Sequence, residues 1–175
     1  FAEKLENIAG RFFVVIDENV AKLHPQLFES IKAPLLKVLV TEKFKTMSMV
    51  ESITDFLHSR QCGRHDSLIV IGGGCLGDAA GFAASIYKRG IAWFFFPTTL
   101  IAQIDSSIGG KVAINTAYGK NQLGSFWPAQ GVYIFDEFLK TLDCRQYNAG
   151  LAEAIKMALL SDLALFTQFE NKKPP

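Results

Sequence analysis

Apolar positions along the chain fall into short runs separated by stretches of helical periodicity. Arg11-Phe-Phe-Val-Val-Ile-Asp17 is a β-branched and aromatic run ending on an acid, which predicts a buried strand. Glu18 to Ile31 follows with a helical pattern interrupted near Pro25, and Leu35 to Val40 is a second strand-like run. Ser48 to Arg60 places Val50, Ile53, Phe56 and Leu57 on one helical face. Leu68 to Ile71 predicts a third strand, and Gly72-Gly-Gly-Cys-Leu-Gly-Asp78 follows at once. Ala79 to Lys88 is small and apolar, as in a closely packed helix. Ile91 to Phe96, closed by Pro97, predicts a fourth strand and Val132 to Phe135 a fifth. Strands alternating with helices predict an α/β fold of parallel βαβ units, covered on both faces. Cys144 to Glu170 has no strand signal and reads as wholly helical.

Composition narrows the function classes. At 175 residues, 49% hydrophobic and 20% charged, the chain can bury one compact core. Eighteen basic and 17 acidic residues leave a net charge of +1. That balance provides no broad positive field for nucleic acid or an acidic membrane, so any anion binding is expected to be local. Cys62, Cys75 and Cys144 are far apart and form no CxxC pair, which points to free thiols in a reducing cytosol. The most apolar stretch, Gly90 to Ile104, is broken by Pro97-Thr-Thr99 and is shorter than the ~20 residues of a spanning helix. No signal-peptide pattern is visible, and with Phe in place of Met at position 1 the true start is expected upstream.

Three segments carry candidate chemistry. Gly72, Gly74 and Gly77 fit a GxGxxG spacing between a strand and a helix, where the backbone can approach a pyrophosphate at a helix N-terminus. The same glycines suit a tight strand-to-helix turn with no ligand. The acid expected ~20 residues downstream in an ordinary dinucleotide site is replaced by Phe95-Phe-Pro-Thr-Thr99. Asp78 reads either as a favourable first-turn charge or as a group facing a cofactor. Thr98 and Thr99 can cap the next helix, expected to carry Asp105-Ser-Ser-Ile-Gly-Gly-Lys111 near its end. Hydroxyls, glycines and a lysine there make an anion cradle or a polar loop with a solvated lysine, and Gly119-Lys-Asn121 repeats the theme. Glu153 and Lys156 are the polar exceptions on an apolar helix, as a surface ion pair or as part of a metal site.

Taken in order, Gly72-Gly-Gly-x-x-Gly-Asp78, Tyr87-Lys-Arg-Gly90, Pro97-Thr-Thr-Leu100, Asp105-Ser-Ser-Ile-Gly-Gly-Lys111, Gly119-Lys-Asn121 and Gly150-Leu-Ala-Glu-Ala-Ile-Lys156 resemble the 3-dehydroquinate synthases. Glu42-Lys-Phe-Lys45 fits that family's Glu-x-x-Lys, and the resemblance runs from about Asp17 to Lys156. It implies a Rossmann-like α/β domain over residues 1–142 and the beginning of a helical metal and substrate domain over 143–175. It implies a cytoplasmic homodimer that uses NAD and a divalent metal, zinc or cobalt, to convert the sugar phosphate 3-deoxy-D-arabino-heptulosonate 7-phosphate to 3-dehydroquinate in the shikimate pathway. Another sugar-phosphate cyclase, of valiolone or inosose type, is the near alternative. A glycerol-dehydrogenase-like enzyme or a non-catalytic NAD-binding remnant is more distant.

Carried over by resemblance, Asp17, Glu42 and Lys45 hold the adenosine end of NAD, while Gly74, Cys75, Leu76, Gly77 and Asp78 line the pyrophosphate and nicotinamide. Thr98, Thr99, Lys111, Lys120 and the segment Phe138, Leu139, Lys140 and Thr141 complete the cofactor site. Asp105, Lys111, Asn121 and Lys156 contact substrate, Arg89 reaches the substrate phosphate of a neighbouring subunit, and Glu153 is a metal ligand. The family's histidine ligands are expected beyond residue 175, so the chain alone is expected to bind NAD without turnover. His24, His58 and His65 read as surface or packing residues. Two departures stand out: Gln146 replaces the family's acid, with the expected loss of an active-site charge, and Val112 replaces its threonine.

Overall fold

The computed structural model describes residues 5, 8, 10–29, 31–161 and 163–171. Strands β1 (Phe12–Asp17), β2 (Leu35–Val38), β3 (Ser67–Gly72), β4 (Ala92–Pro97) and β7 (Gly131–Val132) form one sheet in the order β2-β1-β3-β4-β7. Every pairing in it is parallel. Between the strands run α1 (Glu18–Leu23), α2 (Pro25–Phe28), α3 (Met47–Ser59) and α4 (Gly74–Ile86). This is the expected α/β, Rossmann-like architecture.

The central strands read as continuous apolar runs because both of their faces are covered. Phe13, Val15, Leu68, Val70 and Phe95 pack toward α3 and α4 on one side. Val14, Ile16, Ile69, Ile71 and Phe96 meet Phe138 and the partly buried Phe135 and Tyr133 on the other. Helix α4 lies unusually close to the sheet. A Cβ on Gly77 would stand 2.5 Å from Phe95 Cζ, and one on Gly81 would stand 2.5 Å from Val112 Cγ1. Val112 is therefore a core side chain, 3% exposed, which accounts for an aliphatic residue at that position.

Two expectations are corrected. The helix after β3 begins at Gly74, inside the glycine segment, so Asp78 falls in its second turn and is not a first-turn charge. Lys111 does not end a helix. Residues 100–106 form a short helical stretch whose Ala102–Ser106 part is π-helical, and Lys111 opens an antiparallel hairpin of β5 (Lys111–Thr116) and β6 (Gly119–Phe126). The hairpin was hidden because β6 is almost wholly exposed and so lacks apolar alternation. A register shift between Ile114 and Thr116 disturbs it further.

After a 3₁₀ turn at Asp136–Thr141, α5 (Cys144–Ser161) and α6 (Leu163–Asn171) close the described chain. Asp143 starts α5, accepting the Gln146 N–H at 2.9 Å. Asp-x-x-Gln is a capping-box pattern in which Gln serves as well as Glu. The Gln146 departure thus falls on a helix cap, although its side chain also borders the groove described below. Among the described residues no helix is long and apolar enough to cross a membrane.

Candidate functional site

Asp17, Gly72 and Pro97 end three parallel strands along the same edge. The sheet order means that β1 leads to β2 on one side, while β3 leads to β4 on the other. Such a reversal leaves a crevice beyond the carboxyl ends of the strands. A groove of about 810 Å³ occupies it. Of the residues expected to hold a cofactor, Asp17, Glu42, Lys45, Gly74, Cys75, Asp78, Thr98, Thr99, Phe138 and Thr141 line this groove. Leu76 and Gly77 are buried beneath it in the core. Leu139 and Lys140 belong to the turn that carries Phe138 and Thr141.

Helix α4 points its N-terminus into the groove, and Gly73 supplies no side-chain cap. The first amides of a helix have no intrahelical partner and carry partial positive charge. Such an end favours an anion. The glycines themselves answer to packing: a Cβ on Gly74 would stand 2.5 Å from Ser106 Oγ, and one on Gly73 3.0 Å from Thr99 Cγ2. They let the segment after β4 close over the turn. Thr99 caps that segment as expected, its Oγ1 accepting the Ala102 N–H at 3.2 Å.

Lys45 is the electrostatic centre of the site. It is 4% exposed, and its Nζ donates to Asp78 Oδ2 at 2.5 Å and to Asn121 Oδ1 at 2.7 Å. Lys45, expected at the adenosine end, is thus in contact with Asp78, expected near the nicotinamide. Burial pushes the Asp78 carboxyl up, and its bond to Lys45 only partly offsets this. The charges of Glu42 and then Asp105 raise Asp78 further, and Lys156, raised first by its bond to Glu153, is raised by Asp105 as well, which puts Asp105 within electrostatic reach of both. Lys120 Nζ lies 3.5 Å from Glu42 Oε1. Lys111 is exposed at the start of the hairpin.

Cys75 lies in the first turn of α4, where a helix N-terminus ordinarily activates a thiol. Here burial, followed by the charges of Glu42, Asp78 and Asp17, outweighs Lys45 and pushes it up to about 11. Its Sγ donates to Thr41 O at 3.4 Å. Cys62 is buried and also pushed up to about 11, first by burial and then by Asp66. Cys144 is exposed. Thiol titration of the folded protein at pH 8 should therefore show one fast cysteine, Cys144. A second fast thiol would contradict the environment assigned to Cys75.

On α5, Lys156 Nζ lies 2.5 Å from Glu153 Oε1, with Lys156 exposed and Glu153 a quarter exposed. Only the Glu153 half of the pair is partly buried. Among the described residues no three His, Cys, Asp or Glu side chains come together, so these residues do not complete a metal site. His24 is a packing histidine. It is 6% exposed, stands edge-on to Phe138 with centroids 5.2 Å apart, and places Nε2 2.7 Å from Thr141 Oγ1. It also borders the groove, which periodicity did not signal. Asn115 was missed too; it bonds to the Glu42–Lys45 turn and to Asn121.

Arg89 stands apart from these residues. It follows the C-terminus of α4, and 13 helical residues span about 20 Å from the groove end. Lys88 and Arg89 both adopt left-handed backbone, φ 50° and 66°, ahead of Gly90 at 112°. A Cβ on Gly90 would meet the Trp127 ring at 2.6 Å, so the turn is clamped.

Residues 35–149 match the profile of the family described as 3-dehydroquinate synthase N-terminal. The chain belongs to that family. A 3-dehydroquinate synthase of Campylobacter curvus is 42% identical over 97% of this chain and 50% of its own length. The chain spans about half the length of the curated relatives it matches. Among solved structures, 2-epi-5-epi-valiolone synthase of Streptomyces hygroscopicus subsp. jinggangensis, with NAD+ and Zn2+ bound, superposes with a TM-score of 0.86 at 34% identity, over 92% of this chain and 46% of that one. A 2-deoxy-scyllo-inosose synthase complexed with carbaglucose-6-phosphate, NAD+ and Co2+ gives 0.74 at 30% identity, over 83% and 42%. The family match covers the Asp105–Lys111 segment and the groove wall from Val40 to Gln146, while the Asp17–His24 wall lies ahead of it.

Proposed function

We propose that this chain forms the NAD-binding part of a 3-dehydroquinate synthase, which converts 3-deoxy-D-arabino-heptulosonate 7-phosphate to 3-dehydroquinate and phosphate in the shikimate pathway. The observation that carries the reading is the groove at the strand reversal, with an uncapped helix N-terminus beside the Lys45–Asp78–Asn121 cluster. Its shape and donors fit a dinucleotide: free amides for the pyrophosphate, carboxylates at Asp17 and Glu42 for ribose hydroxyls, and the apolar Phe138 turn beside them. Bound NAD supplies a hydride acceptor that is restored at the end of the turnover, since a substrate hydroxyl is oxidised, phosphate leaves, and the ketone is reduced before ring closure.

The protein's own residues bind and orient. Asp105, Lys111, Asn121 and Lys156, carried on the π-helical segment, the hairpin and α5, hold the polar substrate. Lys120, 3.5 Å from Glu42, adds positive charge at the hairpin side of the groove. Glu153 offers one carboxylate to a divalent metal whose ligand set the described residues do not complete. Arg89 lies on a strained turn at the end of α4 remote from its own groove, which supports its reaching the phosphate of a second copy in a homodimer. Residues 1–142 then form the nucleotide unit. Residues 143–175 begin a helical one, whose Leu159, Leu160 and Leu163 leave an uncovered apolar face. The reducing cytoplasm suits the three free thiols.

Calorimetric titration of NAD+ into the protein tests the reading. Saturable binding that is abolished by Gly74→Leu, with the fold retained by circular dichroism, is expected. Absence of binding to the folded protein would contradict the assignment of this groove.

A further inference from the structure

Asn115 is the penultimate residue of β5 and lies within the register shift between Ile114 and Thr116. Four hydrogen bonds converge on it. Its backbone N–H donates to Lys45 O at 2.8 Å. Its Nδ2 donates to Glu42 Oε1 at 2.9 Å and to Glu42 O at 3.2 Å. Its Oδ1 accepts the backbone N–H of Asn121 at 2.9 Å. Both sides of this hub matter. Glu42 lines the groove, and Asn121 holds the second bond of the buried Lys45 ammonium while in left-handed backbone, φ 54°. One amide therefore ties the Glu42–Lys45 turn to the hairpin, with its donor spent on one and its acceptor on the other.

We propose that Asn115 is a positioning residue for the groove, aiming the Glu42 carboxylate and holding Asn121 against Lys45. The cofactor part of this rests on the NAD-binding reading above. A side-chain amide is required because the hub needs a donor and an acceptor at once. Leucine supplies neither. Aspartate keeps the acceptor for the Asn121 N–H but sets a carboxylate against Glu42. Burial pushes the Glu42 carboxyl up, but the bond from Asn115 and the charges of Lys45 and Lys120 outweigh it and hold the group below its ordinary value.

Two readouts on the full-length protein test this. Without cofactor, carboxyl NMR should show the Glu42 titration moving up in Asn115→Leu. With NAD+, calorimetry should show Asn115→Asp weakening binding about tenfold, the loss expected for a hydrogen bond to a charged group. Glu42→Gln reverses the polarity of the pair, since its amide can donate to Asp at 115. In that background Asn115→Asp should change the affinity by less than about threefold relative to Glu42→Gln alone. A purely structural role would give the same loss in both backgrounds, and that result would overturn the proposal, as would an unmoved Glu42 titration. If the wild type binds no NAD+, the functional reading fails, while the Glu42 titration still decides whether Asn115 holds that carboxylate.

Discussion

Lys45→Met is expected to destabilise the protein by about 3 kcal/mol at pH 7, the largest single-residue effect in the site. The ammonium is 5% exposed at its side chain and its partner Asp78 21%. Methionine keeps most of the volume, so the loss is electrostatic. Removing one member of a buried pair strands the other charge, which costs about 3–5 kcal/mol, and partial exposure of Asp78 places the value at the low end. The pH dependence follows from the direction of the Asp78 shift. Its carboxyl is already held above its ordinary value by burial, and loss of Lys45 raises it further. A raised carboxyl favours the folded state only where it is protonated. The deficit of Lys45→Met should therefore be full at pH 7 and shrink as the pH falls through the raised value. Adding Asp78→Asn should remove most of the deficit and its pH dependence, because no charge is then stranded. Urea unfolding of the two single variants and the double variant at pH 7 and 5 measures all three statements. Equal, additive losses at both pH values would show that Lys45 and Asp78 do not act as a pair.

Gly150→Val is expected to abolish turnover while leaving the α/β unit folded. Glycine inside a helix ordinarily costs about 1 kcal/mol relative to alanine, so a side chain there should help the isolated helix. Position 150 reverses that sign. A Cβ would lie 2.5 Å from Leu100 Cβ, 2.7 Å from Leu100 Cγ and 3.0 Å from the Ile101 amide nitrogen. The backbone nitrogen is fixed by the segment leading to Asp105, so α5 has to move. Overpacking of this kind costs about 1–3 kcal/mol. The displaced helix carries Glu153 and Lys156, three and six positions further on. NAD+ affinity should stay within about threefold of wild type, since a displacement of α5 leaves most of the groove wall intact. Loss of phosphate release with binding retained is the expected pattern. Full turnover would show that α5 is not seated through Gly150.

The fold was largely legible, and the reasons are local. Strands β1, β3 and β4 are buried on both faces, so apolar runs marked them, and Asp17, the glycine segment and Pro97 punctuated their ends. The β5–β6 hairpin was not legible because β6 exposes nearly all of its residues and its glycines erase the alternation. Gly124 is one of these: a Cβ there would stand 2.3 Å from Val112 O. The glycine motif was found, but its physical cause was mixed. Gly74 and Gly77 make room for Ser106 and Phe95, as a ligand-free turn would require, and the same close packing leaves the α4 amides open to the groove. Contacts made by side chains distant in sequence could not be read at all. Lys45 reaching Asp78 and Asn121 joins residues 33 and 76 positions apart. Asn115 and His24 carry no motif, and only their partners, Glu42 with Asn121 and Thr141 with Phe138, reveal them.

Inorganic phosphate reports the proposed reaction. With NAD+ and zinc, the full-length protein is predicted to release phosphate from 3-deoxy-D-arabino-heptulosonate 7-phosphate without accumulating NADH. Release only from sedoheptulose 7-phosphate or glucose 6-phosphate, or net NADH formed from a polyol, would contradict it.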